Sequence, residues 1–223
     1  MPIGDSNTES TEKLQAAITK VKSWTRKWRM KLNETKSVHI DFTNKCIEHK
    51  PICINHQVVP YENTAKYLAM TLDAKLRWKP RVKKKLEELT LKYRKLYWLM
   101  GRYAALSVYN KLMLYQQVLK AVWTYGIQLW GCTRQSNRNI IQRFQNRVIR
   151  GIVDAPWYIR NDNLYKDLDV ETVDSVIKKY AQSHEQRLQR HIKVEALQLL
   201  NNDGLVRRLK RTKPFELVQY ILL

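Results

Sequence analysis

The sequence predicts an α+β fold that is mostly helical: one helix laid on a small antiparallel sheet, then a basic helical bundle, then a helical extension. Three observations predict it. Within residues 1–75 the apolar spacing changes from three- and four-residue steps to alternation, whereas residues 76–154 and 155–223 keep helical steps. Prolines and capping residues fall between the periodic runs. At 223 residues and 44% apolar content, the chain can bury a core as one large domain or two small ones.

Ser6 with Glu9 fits a capping box, and Leu14, Ile18, Val21, Trp24, Trp28 and Leu32 then recur on one helical face. Val38, Ile40 and Phe42 alternate with His39, Asp41 and Thr43 as a half-buried strand does. Ile52 and Ile54 lead to an Asn55-His56 turn, and Val58 and Val59 follow until Pro60 ends the run or keeps it at an edge. A further strand is expected over 65–72. Pro80 opens a helix with Val82, Leu86, Leu89, Tyr93, Leu96 and Leu99 inward, and Tyr97 is assigned to the core with Tyr93. Ser107 caps a second helix toward Gly131, and Ser136 or Asn137 caps a third bearing Ile141, Phe144, Val148 and Ile152. Pro156 breaks the pattern. A short helix around Leu164 and Leu168 and a longer one through Leu197 complete the chain, with a basic tail at 206–213.

Charge is concentrated. Residues 76–150 contain 17 Lys and Arg against two acidic residues, and so hold +15 of the net +21. A one-sign field packed onto a few helices is answered most directly by a phosphate backbone, and aromatic side chains among the cations add stacking faces. Trp78-Lys79, Lys83-Lys84-Lys85, Lys92-Tyr93-Arg94-Lys95 and Arg102-Tyr103 are the candidate contacts. A solvated basic surface and a membrane-skimming amphipathic helix are the competing readings.

Other chemistry is sparse. There is no glycine-rich phosphate loop, no nucleophile elbow and no adjacent Asp pair for a two-metal site. Cys46, His49, Cys53 and His56 match no standard zinc spacing, and His184 and His191 lie too far apart to suggest ligands, so no metal site is expected. Three cysteines form no disulfide framework, and the polar start lacks the character of a signal peptide. An intracellular location, nuclear or cytoplasmic rather than secreted, is the expectation. The longest apolar run, 121–130, is too short to span a bilayer, so no membrane partner is expected.

The order of segments carries a resemblance. Trp24-x3-Trp28-x3-Leu32-Asn33-x2-Lys36-Ser37, then Lys66-Tyr67-Leu68-Ala69-x2-Leu72-Asp73-x4-Trp78, resembles the end of the palm in reverse transcriptases of non-LTR retrotransposons. The runs 120–131 and 140–145 and Ala155-Pro156-Trp157-Tyr158 resemble the jockey group of these RNA-directed DNA polymerases. Together they cover almost the whole chain.

The resemblance implies a palm remnant over 1–75, a thumb over 76–154 and a C-terminal extension over 155–223. It implies that Lys36 is a general acid for the pyrophosphate leaving group and that Tyr67, Leu68 and Ala69 form the primer grip, with alanine where the family has glycine. Lys79, Lys83, Lys84, Lys85, Lys92, Arg94, Lys95 and Arg102 then hold a template-primer duplex of RNA and DNA. The family's Asp-Asp pair precedes the first helix and is absent from this sequence. The expectation is therefore a C-terminal fragment unable to polymerise alone, with Mg2+ needed only by the intact polymerase. The alternative is a non-catalytic, transposon-derived nucleic-acid binder.

Overall fold

The computed structural model describes residues 7–44, 50–197 and 217, and the fold is α+β with helix predominating. The chain divides into two compact units, Met1–Leu76 and Arg77–Leu223.

The first unit begins with α1 (Asn7–Lys27), rich in straight-chain Lys, Glu and Gln and in alanine, all good helix formers. Its expected cap, Ser6, lies outside the described residues. The helix stops short of Leu32: Arg29 turns left-handed at φ 53°, its N–H reaches the Arg26 carbonyl at 3.1 Å, and Met30 N–H reaches Thr25 at 2.9 Å. That is a Schellman stop made without glycine. The apolar stripe is only partly covered, since Val21, Trp24 and Trp28 are exposed while Thr25 is buried.

Residues 38–43 do not form the expected strand. They contribute one isolated parallel bridge, His39 to Tyr61, and the expected parity is reversed, with His39 buried and Val38 exposed. His39 takes the inner position because its polar ring has partners there: Tyr61 edge-on at 5.5 Å and Asp41 Oδ1 at 3.1 Å from Nε2. The first hairpin, β1 (Cys53–Ile54) with β2 (Gln57–Val58), turns at Asn55 and His56, both at positive φ, as the sequence suggests. Gln15 of α1 fastens the helix to it, accepting from Cys53 N–H at 3.1 Å and donating to its carbonyl at 3.0 Å. The single strand expected over 65–72 is instead a second antiparallel hairpin, β3 (Thr64–Tyr67) and β4 (Met70–Asp73), with Tyr67 opposite Met70.

The second unit is helical. Trp78 precedes α2 (Lys79–Met100), with Pro80 in its first turn, where a missing N–H costs nothing. Ser107 caps α3 (Val108–Leu114) by accepting from Asn110 N–H. The helix then passes through a π segment, Tyr115–Lys120, into α4 (Ala121–Thr124). The expected continuous helix breaks at Tyr125 and Gly126, the latter at φ 69°, before α5 (Ile127–Trp130).

Arg134, rather than Ser136 or Asn137, precedes α6 (Gln135–Val153). Asn137 is instead buried and, with Thr133, donates to the Arg77 carbonyl at 3.2 and 2.9 Å. After α7 (Asn161–Asp167), Thr172 caps α8 (Val173–Gln189). This helix ends at Gln189, with α9 (Val194–Leu197) separate. The basic tail at 206–213 lies outside the described residues.

Helices α2 and α6 run side by side in the same direction. Arg77 meets Thr133 and Asn137 at one end, Tyr93 meets the Phe144 ring edge-on at 6.2 Å, and Arg102 meets Asp154 at the other end at 3.7 Å. Val82, Leu89, Phe144, Val148 and Ile152 are buried, as are Trp123 and Trp130. Tyr97 corrects the expectation of burial: it is half-exposed, with Tyr93 as its T-shaped neighbour at 5.9 Å. A polar cluster secures α7 and α8 to α6. Gln142 donates to the Tyr165 hydroxyl at 2.8 Å and accepts from Val173 N–H at 2.8 Å, Tyr165 donates to Asn146, and Gln145 donates to the Glu171 carbonyl at 2.8 Å.

Candidate nucleic-acid interface

The face of α2 turned to solvent is where cations gather. At about 100° per residue, Lys79, Lys83 and Arg94 follow one edge of that face and Lys84 and Lys95 the other, with Glu87, Leu91 and Trp98 between them. These five cations are exposed and make no ion pair with a described residue. Lys85 and Lys92 sit on the flank and share Glu88, at 2.7 and 3.9 Å. Arg102 spans two partners: its guanidinium lies 4.5 Å over the Tyr103 ring and pairs with Asp154. The predicted row is thus divided into five open cations and three with protein partners.

Other basic residues of 76–150 have structural work. Arg81 is buried beside Tyr125, 5.7 Å from the ring, and burial lowers its pKa while Glu88 opposes the shift. Lys111 is buried with Nζ donating to the Gly101 carbonyl at 2.8 Å, which ties the α2–α3 connection. Lys120 pairs with Glu171 at 3.0 Å, and Arg138 with Asp174 at 3.1 Å. Arg150 reaches the Ile159 carbonyl at 2.8 Å, Asn161 Oδ1 at 3.2 Å, and the Pro156 carbonyl. A count of charge could not separate these from phosphate contacts, because the separation depends on which helical face is covered.

In the first unit, Lys36 ends a one-turn 3-10 helix, Glu34–Lys36. Asn33 builds it: its side chain accepts from Lys36 N–H at 3.0 Å and from the Thr35 hydroxyl at 2.8 Å, while Ser37 donates to the Asn33 carbonyl at 2.8 Å. The Asn-x-x-Lys-Ser spacing therefore has a local cause, and it leaves the Lys36 side chain in solvent. Asn55 donates to Glu34, whose carboxyl is held below its ordinary range by that bond. Tyr67, Leu68 and Ala69 form the tip of the β3–β4 hairpin. Leu68 and Ala69 stand at φ 46° and 57°, the backbone for which glycine is suited.

A cleft of about 350 Å³ at the end of α1 is lined by Lys22, Thr25, Arg26, Arg29, Met30, Lys31, Leu32 and Asn55. The left-handed turn at Arg29 brings these cations around one space. In the second unit a cavity of about 340 Å³ is lined by Tyr115, Gln116, Lys120, Asp169, Val170, Glu171 and Lys179. Its cations are engaged, since Lys120 and Lys179 bracket Glu171 and lower its pKa.

Among the described residues no three His, Cys, Asp or Glu side chains are grouped as a metal ion would require, so the donors described do not fit a two-metal centre. Cys46 and His49 lie outside the described residues, and Cys53 is exposed. His184 is half-buried, with its pKa lowered by desolvation and by Arg187, and His191 accepts from Lys193 N–H at 3.1 Å. No described helix is long and apolar enough to cross a membrane.

Comparison with known proteins gives relatives across nearly the whole chain. The probable RNA-directed DNA polymerase from transposon X-element of Drosophila melanogaster is 35% identical over 210 residues, 94% of this chain and 23% of that protein. The probable RNA-directed DNA polymerase from transposon BS of the same organism is 34% identical over 205 residues, 91% of this chain and 22% of the relative. The RNA-directed DNA polymerase from mobile element jockey of Drosophila melanogaster is 27% identical over 221 residues, 96% of this chain and 24% of the relative. No family model and no solved structure matches. The chain spans about a quarter of the length of these relatives, and over nearly all of its own length it is similar to one segment of RNA-directed DNA polymerases from jockey and related transposons.

Proposed function

We propose that this chain is the C-terminal, template-primer-binding part of a non-LTR retrotransposon reverse transcriptase, that the second unit acts as its thumb, and that the chain does not polymerise by itself. The observation that carries the proposal is the pair of cation rows on α2, Lys79, Lys83 and Arg94 opposite Lys84 and Lys95, which are exposed and make no described ion pair. Such rows neutralise phosphates on a nucleic-acid backbone without reading its sequence. In this reading Lys36 supplies the proton to pyrophosphate, and the tip at Tyr67, Leu68 and Ala69 bears on the primer. Catalysis then requires carboxylates beyond those grouped here, together with the Mg2+ they hold.

The test is binding of a labelled RNA–DNA hybrid to the purified chain across a salt series. If about six to ten phosphates are neutralised, affinity falls about 10³- to 10⁵-fold between 50 and 200 mM salt. Replacing Lys79, Lys83 and Lys84 together by Gln should reduce the log–log slope by about three. A flat salt dependence would remove the proposal. Primer extension on an RNA template by the purified chain, slowed by Lys36→Ala, would overturn the claim of inactivity.

A further inference from the structure

Five large aromatic side chains lie in water at one end of the second unit. Trp98 is in the last turn of α2, Tyr103 in the following loop, Tyr109 in the first turn of α3, and Trp157 and Tyr158 just beyond α6. Two contacts bring these segments to a common end: Lys111 Nζ donates to the Gly101 carbonyl, and Arg102 pairs with Asp154. Trp157, Tyr103 and Tyr158 are 90%, 83% and 69% exposed.

The loop that carries Trp157 and Tyr158 is held in place. Asp154 closes α6 in a left-handed conformation at φ 49°, and Arg150 spends its guanidinium donors on Pro156, Ile159 and Asn161. The two rings stand edge to face at 6.0 Å, away from the core. An arginine engaged three times below a loop whose aromatics remain in water is a pedestal. Nearby, the Arg102 guanidinium already lies over the face of Tyr103, so that ring accepts a flat, delocalised group.

We infer that Tyr103, Trp157 and Tyr158 form a stacking site for unpaired bases of a nucleic-acid strand, separate from the lysine rows of α2. This rests on the proposal that α2 holds a template-primer duplex. Charge argues for nucleic acid over a protein partner: residues 76–150 carry +15, and in the stretch 147–162 Arg147, Arg150 and Arg160 outnumber Asp154 and Asp162. Stacking uses the π-face that every base offers, so the site discriminates unpaired from paired nucleotides rather than one base from another. An overhang continuing from the duplex held on α2 is its ligand.

The experiment compares the full chain binding a blunt RNA–DNA hybrid with the same hybrid carrying a single-stranded overhang. The overhang should tighten binding about tenfold. Trp157→Ala/Tyr158→Ala should abolish that gain while blunt-hybrid affinity and its salt slope stay unchanged, and Tyr103→Ala should reduce the gain. Trp157→Phe should retain most of the gain and Trp157→Leu should lose it. Equal binding of the two hybrids, or a gain that survives Trp157→Leu and the double alanine variant, overturns the inference. Absence of any hybrid binding would instead sink the duplex-binding proposal, so the two failures are distinct.

Discussion

At Ala69 the backbone stands at φ 57°, where a Cβ costs roughly 1–2 kcal/mol and glycine costs little. Glycine adds conformational entropy to the unfolded chain, so Ala69→Gly should stabilise the chain by about 0.5–1 kcal/mol net, read from the denaturant midpoint of the unit that contains it. A decrease would mean that the methyl group makes a contact outweighing the strain. Arg150 offers the opposite experiment. Arg150→Met leaves the Pro156 and Ile159 carbonyls without their donor, and a loss of about 1–3 kcal/mol with faster tryptic cleavage at Arg160 is expected. The glycine-to-alanine departure at position 69 was visible in the sequence through its resemblance to the family. The role of Arg150 was not, because an arginine on a basic helix looks the same whether it faces phosphate or the carbonyls of a loop ten residues on.

Helices were more legible than strands, and the reason is length. Val82, Leu89, Phe144, Val148 and Ile152 repeat over many turns, whereas 64–73 holds only two four-residue strands joined by Leu68-Ala69. No Asn or Gly marks that turn, so the run reads as one strand. Residues 38–43 misled by alternation: the apolar set and the histidine set are both alternating, and Tyr61 and Asp41 decide between them. The start of α8, capped locally by Thr172, is also held by Gln142 and by the Gln145–Glu171 contact, which no local pattern encodes. Glu171 gives this junction a pH dependence. Lys120, then Lys179, hold its folded pKa below the unfolded value, so the stabilisation is present above the unfolded carboxylate range and is lost as pH falls through the folded pKa. Stability should decline below about pH 5, and Glu171→Gln should flatten that decline at a cost of about 0.5 kcal/mol, small because the carboxylate is more than one-third exposed.

For the whole molecule, a net charge of +21 repels itself. Raising the ionic strength from about 0.01 to 0.15 M shortens the screening length from about 30 to 8 Å. The thermal midpoint of the free protein should rise over that range, and a fall would mean that ion pairs such as Lys120–Glu171 and Arg138–Asp174 outweigh the repulsion. The parallel run of α2 and α6 adds a direction to this field. Each helix behaves as if it carried about half a positive elementary charge at its start and half a negative one at its end, and here the two ends lie together. Lys79, Lys83 and Lys84 add to the positive pole, whereas Arg102 and Arg150 offset the negative one beside Tyr103, Trp157 and Tyr158. Under the proposed function, the phosphates of a strand crossing the unit meet a field weighted toward the start of α2, and its flat bases meet the aromatic end. The fold would give such a strand an electrical polarity before any base is read.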